Sequence, residues 1–146
     1  MAKLTLLTSK ATMHHTGGLN WGSNKKNHTR KLDAYIPIHL KTIRSNPGFF
    51  NPKIHPNPVV TVIWDDGYEM KCKFEGIIYN RLDKKNYPKQ ISSYPHKDEM
   101  GKYFRNRIGI GGGRRFLLSD LLVYGRSDID LVYDSSKNVY RADFHV

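Results

Sequence analysis

Residues 59–74 constrain the fold more than any other stretch of the chain. Val59-Val60-Thr61-Val62-Ile63-Trp64 is a β-branched and aromatic run, Asp65-Asp66-Gly67 follows it, and a second extended run covers residues 68–74. An Asp-Gly step between two such runs is the strongest short-range hairpin signal a sequence offers. The chain is therefore expected to be built around antiparallel β-structure. Residues 3–8 predict a first strand, with Leu4 and Leu6 on one face. Residues 34–38 predict another, and Pro37 confines it to an edge or an end. Residues 77–79 and 90–92 are extended, and residues 128–133 and 139–144 form a last hairpin around Ser135-Ser136-Lys137-Asn138.

Helical signals are fewer. Residues 39–45 predict a short helix stopped by Asn46-Pro47-Gly48. Met100, Tyr103, Phe104 and Ile108 recur at helical spacing, which predicts an amphipathic helix over 97–107 that the glycines at 109–113 end. Ser119 is placed to cap a second short helix running to Val123. About seven strands and two or three short helices in 146 residues fit one domain, 1–146. The fold class is mainly β (α+β), an open barrel-like sheet with helices at its ends.

Two segments lack either period. One covers residues 16–31, from Gly17-Gly18 through Asn20-Trp21-Gly22-Ser23-Asn24 to Arg30; the other is the basic stretch 80–88. Loops of this length inside a small domain are usually functional.

Charge says what they meet. The chain holds 24 Lys+Arg against 13 Asp+Glu, a formal net charge of +11. Residues 1–60 carry nine basic side chains and one acidic, and residues 71–115 carry twelve and four. Residues 61–70 and 116–146 are net acidic. A small domain this basic is built to meet a polyanion. No apolar run reaches the length of a membrane span, the N-terminus lacks the apolar stretch of a signal peptide, and a lone Cys72 rules out an internal disulfide. The cytosol is the simplest compartment, and no membrane partner is expected.

Catalytic chemistry finds little support. His14-His15 are adjacent, so on a strand they would point to opposite faces and would not chelate one ion. Glu69-x-Lys71 matches the end of a magnesium-nuclease pattern, which needs a further carboxylate on the same metal. Gly109-Ile110-Gly111-Gly112-Gly113-Arg114-Arg115 follows a helix and lacks the Lys-Ser/Thr step of a phosphate-cradling loop; its arginines reach at most a backbone phosphate. Cys72 sits mid-strand as a small core residue. No catalytic residue, metal or cofactor is expected, so the reading is a binding module and not an enzyme.

Thr16-Gly17-Gly18-Leu19-Asn20-Trp21-Gly22, Asp33-Ala34-Tyr35-Ile36-Pro37-Ile38 and Phe49-Phe50-Asn51-Pro52 follow one another along the chain. Asp65-Asp66-Gly67 with Cys72, Gly101-Lys102-Tyr103-Phe104-Arg105-Asn106-Arg107-Ile108-Gly109, Tyr124-Gly125-Arg126 and Tyr140-Arg141-Ala142-Asp143-Phe144 come after them. This ordered set, over about residues 4–144, resembles the DNA-recognition domain of NgoFVII-type and LlaJI-type restriction endonucleases, itself similar to the plant B-three pseudobarrel. The resemblance implies an open seven-stranded barrel whose two arms grip the major groove of double-stranded DNA. The N-arm falls within residues 14–31 and the C-arm within 79–93. It further implies target-site recognition in a bacterial restriction-modification system. The chain is then a fragment or N-terminal module of a larger restriction protein, joined covalently or otherwise to a nuclease or GTPase motor. Where the family has a Gln-rich stretch and a short Gly-Lys turn, this chain carries a longer, more basic arm over 79–89.

The arms supply the candidate contacts. Arg30 and Arg81 can donate to guanine, and Asn20, Asn24, Asn27, Asn80, Asn86 and Gln90 can pair with adenine. Ser23, Ser92 and His28 can reach bases or phosphates. Lys25, Lys26, Lys31, Lys84, Lys85 and Lys89 suit phosphates, which position without specifying. Trp21 and Tyr87 stiffen the arms or touch thymine methyls. Arg105 and Arg107 lie two apart on one helix and cannot share a face, so at most one is expected on DNA. Two alternatives remain at this stage: an RNA-binding barrel, which would need aromatics gathered on one exposed sheet face, and a small metal-dependent nuclease using Glu69 and Lys71.

Overall fold

The computed structural model describes residues 1–25, 29–53 and 57–146. Seven strands form one sheet in the order β1 (Ala2–Thr5), β8 (Asp128–Asp134), β9 (Val139–Asp143), β3 (Val59–Trp64), β4 (Glu69–Glu75), β7 (Gln90–Ser93) and β2 (Ile36–Pro37). Every pair is antiparallel except β3 with β9. The two edge strands β1 and β2 approach one another, so the sheet curls into a nearly closed pseudobarrel of α+β class. Pro37 lies on the edge strand, where no neighbour needs its missing N–H.

The interior follows from strand alternation. Leu4 and Leu6, Val62 and Trp64, Met70 and Cys72, Ile129 and Leu131 are all buried. Cys72 is a core residue, and burial pushes its thiol pKa up. Helix α2 (Asp98–Ile108) closes one end of the barrel with Met100 and Phe104, both fully buried. Gly109, in the left-handed region at φ 88°, terminates it. Helix α1 (Leu40–Ser45) stops at Asn46, as the sequence predicts. Helix α3 (Leu118–Tyr124) begins one residue ahead of the expected cap: Asp120, not Ser119, accepts the Leu117 N–H, at 2.7 Å.

One element departs from expectation. Residues 80–88 are not an irregular loop. They belong to a second, two-stranded ribbon of β5 (Ile78–Asn80) and β6 (Lys85–Tyr87) standing apart from the main sheet.

Candidate nucleic-acid interface

Both arm segments spring from the β2–β7 pair. The N-arm runs directly into β2 and the ribbon runs directly into β7. Ile36 is paired with Ile91 and Pro37 with Gln90, and the Ile38 N–H donates to the Lys89 carbonyl at 2.8 Å. The antiparallel register therefore places the arms at opposite ends of this pair, with a strip of sheet between them.

The base of the N-arm is built from groups the sequence assigned to DNA. Residues Gly18–Ser23 form a 3-10 turn. Asn20 is 2% exposed, and both ends of its amide are engaged with Phe116. Nδ2 donates to the Phe116 carbonyl at 2.9 Å and to the His14 carbonyl at 2.7 Å, and the Phe116 N–H donates to Oδ1 at 2.7 Å. Asn20 is a brace and reads no base. Gly22 donates its N–H to the Asp33 carbonyl at 2.8 Å, and a Cβ there would stand 2.2 Å from the Lys31 carbonyl oxygen. Buried Asp33 accepts the Arg30 N–H at 2.9 Å and so closes the arm's return. Trp21 packs edge-on against Tyr35, at 5.1 Å between centroids, under the Lys97 ammonium. Beyond this base, Lys25, Arg30 and Lys31 are exposed, and Ser23 and Asn24 are half-buried. Lys26, Asn27 and His28 lie outside the described residues.

The ribbon has its own brace. Asn80 is buried, and its Oδ1 accepts from the Leu82 N–H at 3.2 Å and from Arg44 Nε at 3.1 Å. Buried Tyr87 donates its hydroxyl to Asp83; this bond, foremost, holds the Asp83 carboxyl below its ordinary pKa and raises that of the Tyr87 phenol. Neither Asn80 nor Tyr87 is presented to a ligand. Lys84 takes the left-handed region at φ 60° and turns the tip. Arg81, Leu82, Lys84, Lys85 and Asn86 are exposed, as is Lys89 at the ribbon's foot. Tyr79 pairs directly with Asn86 across the ribbon and is 50% exposed. The sequence reading passed over Tyr79; its alternation with two neighbours that turn inward more than it does was the available signal.

Gln90 and Ser92 lie on β7, between the two arm segments, and are buried and joined by a 3.2 Å hydrogen bond. Arg105 and Arg107, of which at most one was expected on DNA, are both committed internally. Arg105 donates Nη1 to the Arg114 carbonyl at 2.6 Å and lies over the Phe116 ring; burial lowers its pKa. Arg107 forks onto Asp65 and donates Nε to the Tyr124 hydroxyl at 3.0 Å. Burial alone would lower its pKa, but these bonds outweigh it and raise the value.

Pairing sorts the charge. Arg126 is ion-paired with Asp128 and Asp130, Arg141 with Asp134, Lys3 with Asp130, and Arg114 with Asp120. Among the described residues, the guanidinium groups of Arg30, Arg81 and Arg115 alone have no side-chain or carbonyl partner. Two of these three stand on the two arms.

The catalytic candidates stay apart. His14 is half-buried and His15 exposed, and the two form no joint ligand set. Lys71 donates to Thr61 at 2.6 Å, while the carboxylates of the adjacent turn are occupied, Asp65 by Arg107 and Asp66 by Tyr103 at 3.0 Å. Asp65, Asp143 and His145 bring ligand atoms within 4.8 Å of one another, but Asp65 already serves Arg107 and the Phe144 N–H. Of the half-exposed tyrosines, Tyr68 packs on Tyr103 and Tyr133 on Tyr140, Tyr94 lies under the Lys73 ammonium, and Tyr79 stands on the ribbon.

The nearly closed seven-stranded sheet with a few short helices is a pseudobarrel of α+β class. The chain belongs to the family of the NgoFVII C-terminal B3-like DNA-binding domain, which it matches over residues 1–135. It is therefore a DNA-binding domain of the restriction-endonuclease type. Strand β9 lies beyond the matched residues and completes the sheet between β8 and β3. No curated protein matches the chain. Among the described residues, no helix is long and apolar enough to cross a membrane.

Proposed function

We propose that this domain recognises a specific double-stranded DNA sequence through the major groove, with the N-arm and the ribbon as its two reading elements. The supporting observation is the placement of unpaired cations at the two ends of the β2–β7 pair. Tyr35 to Ile38 span three strand steps, or roughly 10 Å at the usual rise per residue. A major groove is about 12 Å wide, so one groove accommodates both arms. Lys25, Arg30 and Lys31 would enter from one side, and Arg81, Lys84, Lys85 and Asn86 from the other. The buried braces Asn20 and Asn80 hold each arm in shape before DNA arrives, which reduces the ordering cost of binding. Cleavage or translocation would belong to another domain or subunit of a restriction system.

Selection from a randomised duplex library tests this reading. The winning duplex is titrated against a scrambled one at two salt concentrations. A short enriched motif held about a thousand-fold more tightly than scrambled DNA is the expected result. Uniform binding that collapses with salt would reduce the domain to a polycation.

A further inference from the structure

The glycine-rich segment after α2 is fastened to the N-arm at two places. Lys31 lies along Gly113, where a Cβ would meet Lys31 Cε at 2.8 Å and Nζ at 3.2 Å. Two residues past Arg114, Phe116 is clasped by Asn20. Gly112 and Gly113 both take left-handed backbone, at φ 71° and 68°, which admits no ordinary side chain without strain. Among the described residues, the N–H groups of Gly111, Gly112 and Gly113 find no acceptor within the chain. A cation thus lies against Gly113, at the end of a short run of unengaged backbone donors.

The two arginines that follow differ. Arg114 forks onto Asp120 at 2.7 and 2.9 Å, and its carbonyl accepts from Arg105 at 2.6 Å. Its charge is spent in holding the loop. Arg115 is exposed and its side chain touches no partner, yet its backbone is fixed on both sides, by Arg114 Nη1 on its own carbonyl at 2.9 Å and by the Asn20 clasp on the next residue. An unpaired guanidinium on a fixed backbone, two residues past the free N–H groups and a neighbouring lysine, supplies the donor types of a phosphate contact.

We infer that Gly111–Gly113, Lys31 and Arg115 form a third DNA-contacting element that seats one backbone phosphate beside the N-arm. This rests on the DNA-binding reading and deepens it. The element positions the duplex against the N-arm and carries no sequence information, because phosphates are alike at every step.

The test measures affinity for the selected and the scrambled duplex across a salt series, for the wild type, Arg115→Ala, Arg115→Glu, Arg115→Lys and Arg81→Ala. Since the Arg115 side chain bonds nothing, the variants should unfold at the wild-type temperature. Arg115→Ala is expected to weaken both duplexes by the same factor and to make the log–log salt slope shallower by about 0.9, the share of one phosphate. Arg115→Glu should weaken both further, and Arg115→Lys should restore the slope. Phosphate-ethylation interference should lose one position in Arg115→Ala. An unchanged slope and pattern in Arg115→Ala and Arg115→Glu, with Arg81→Ala weakened, overturns this element and leaves the arms standing. A wild-type domain that fails to hold any duplex overturns both readings.

Discussion

Asn20 and Phe116, separated by 96 residues in sequence, are joined by a reciprocal pair of hydrogen bonds: the Asn20 amide donates to the Phe116 carbonyl and accepts from the Phe116 N–H. This clasp ties the N-arm to the segment between α2 and α3. Asn20→Ala leaves both Phe116 backbone groups and the His14 carbonyl without a partner in a buried site. At roughly 1–3 kcal/mol for a buried group left unpaired, the loss should be about 2–4 kcal/mol, read from the urea midpoint. Asn20→Asp should do no better, because a carboxylate accepts from the N–H but cannot donate to either carbonyl.

Gly101 lies in the middle of α2, where replacing glycine by alanine ordinarily gains about 1 kcal/mol. Here the sign inverts. A Cβ at Gly101 would stand 1.8 Å from the Leu32 carbonyl oxygen and 2.9 Å from its carbon. The returning strand of the N-arm therefore has to move. Gly101→Ala should destabilise by about 1–3 kcal/mol, visible as a lower melting temperature, and should weaken duplex binding by displacing the arm's root.

The hairpin over β3 and β4, helix α2 and the last hairpin were legible because each has a period and punctuation of its own. Val62 and Trp64 alternate, Met100 and Phe104 are four apart, and Gly67 and Gly109 stand where positive φ is needed. Only the first strand of the ribbon was legible, from residues 77–79. The second, Lys85–Tyr87, is three residues long and mostly polar, and the ribbon is held by Arg44 and by Lys53, whose N–H donates to the Asn86 carbonyl at 2.8 Å; both come from a distant segment. The burial of several candidate contacts was not legible for the same reason. Asn20, Asn80, Gln90, Ser92 and Arg105 have side chains suited to DNA, and only their tertiary partners reveal that they are buried. Gly22 and Gly101 were the available local hints, since each marks a backbone approach too close for a side chain.

The Arg107–Asp65 pair fixes α2 to the turn between β3 and β4. Its side chains are 11% and 20% exposed. Arg107→Ala should cost about 1 kcal/mol, because solvent still reaches the Asp65 carboxylate and screens the lost cation. Burial alone would raise the Asp65 pKa, but hydrogen bonds from Arg107 and the Phe144 N–H outweigh it and hold the folded value below 3.8. The linked stability is therefore fully present above that pH and is lost as pH falls through the lower, folded value. Asp65→Asn should show a shallower acid decline in its urea midpoint than the wild type. An acid limb of unchanged steepness would place the linkage in the other lowered carboxylates, Asp83, Asp120, Asp130, Asp134 and Asp143.

Arg81 and Lys25 stand on different arms and should fail differently. Arg81 stands at the ribbon tip, where the Asn80 brace and the left-handed Lys84 fix the backbone beneath it. A guanidinium held this way can donate two parallel bonds to guanine, worth about 1–3 kcal/mol of discrimination. Arg81→Ala should therefore lower affinity for the selected duplex by that amount and leave scrambled DNA much less affected; Arg30→Ala should behave likewise. Lys25 offers a flexible point charge, so Lys25→Ala should weaken both duplexes alike and make the salt slope shallower by about 1. Competition titrations of selected against scrambled DNA separate the two patterns. Equal losses on both duplexes for Arg30→Ala and for Arg81→Ala would mean that neither arginine reads a base, and specificity would then have to come from the shape of the groove between the arms.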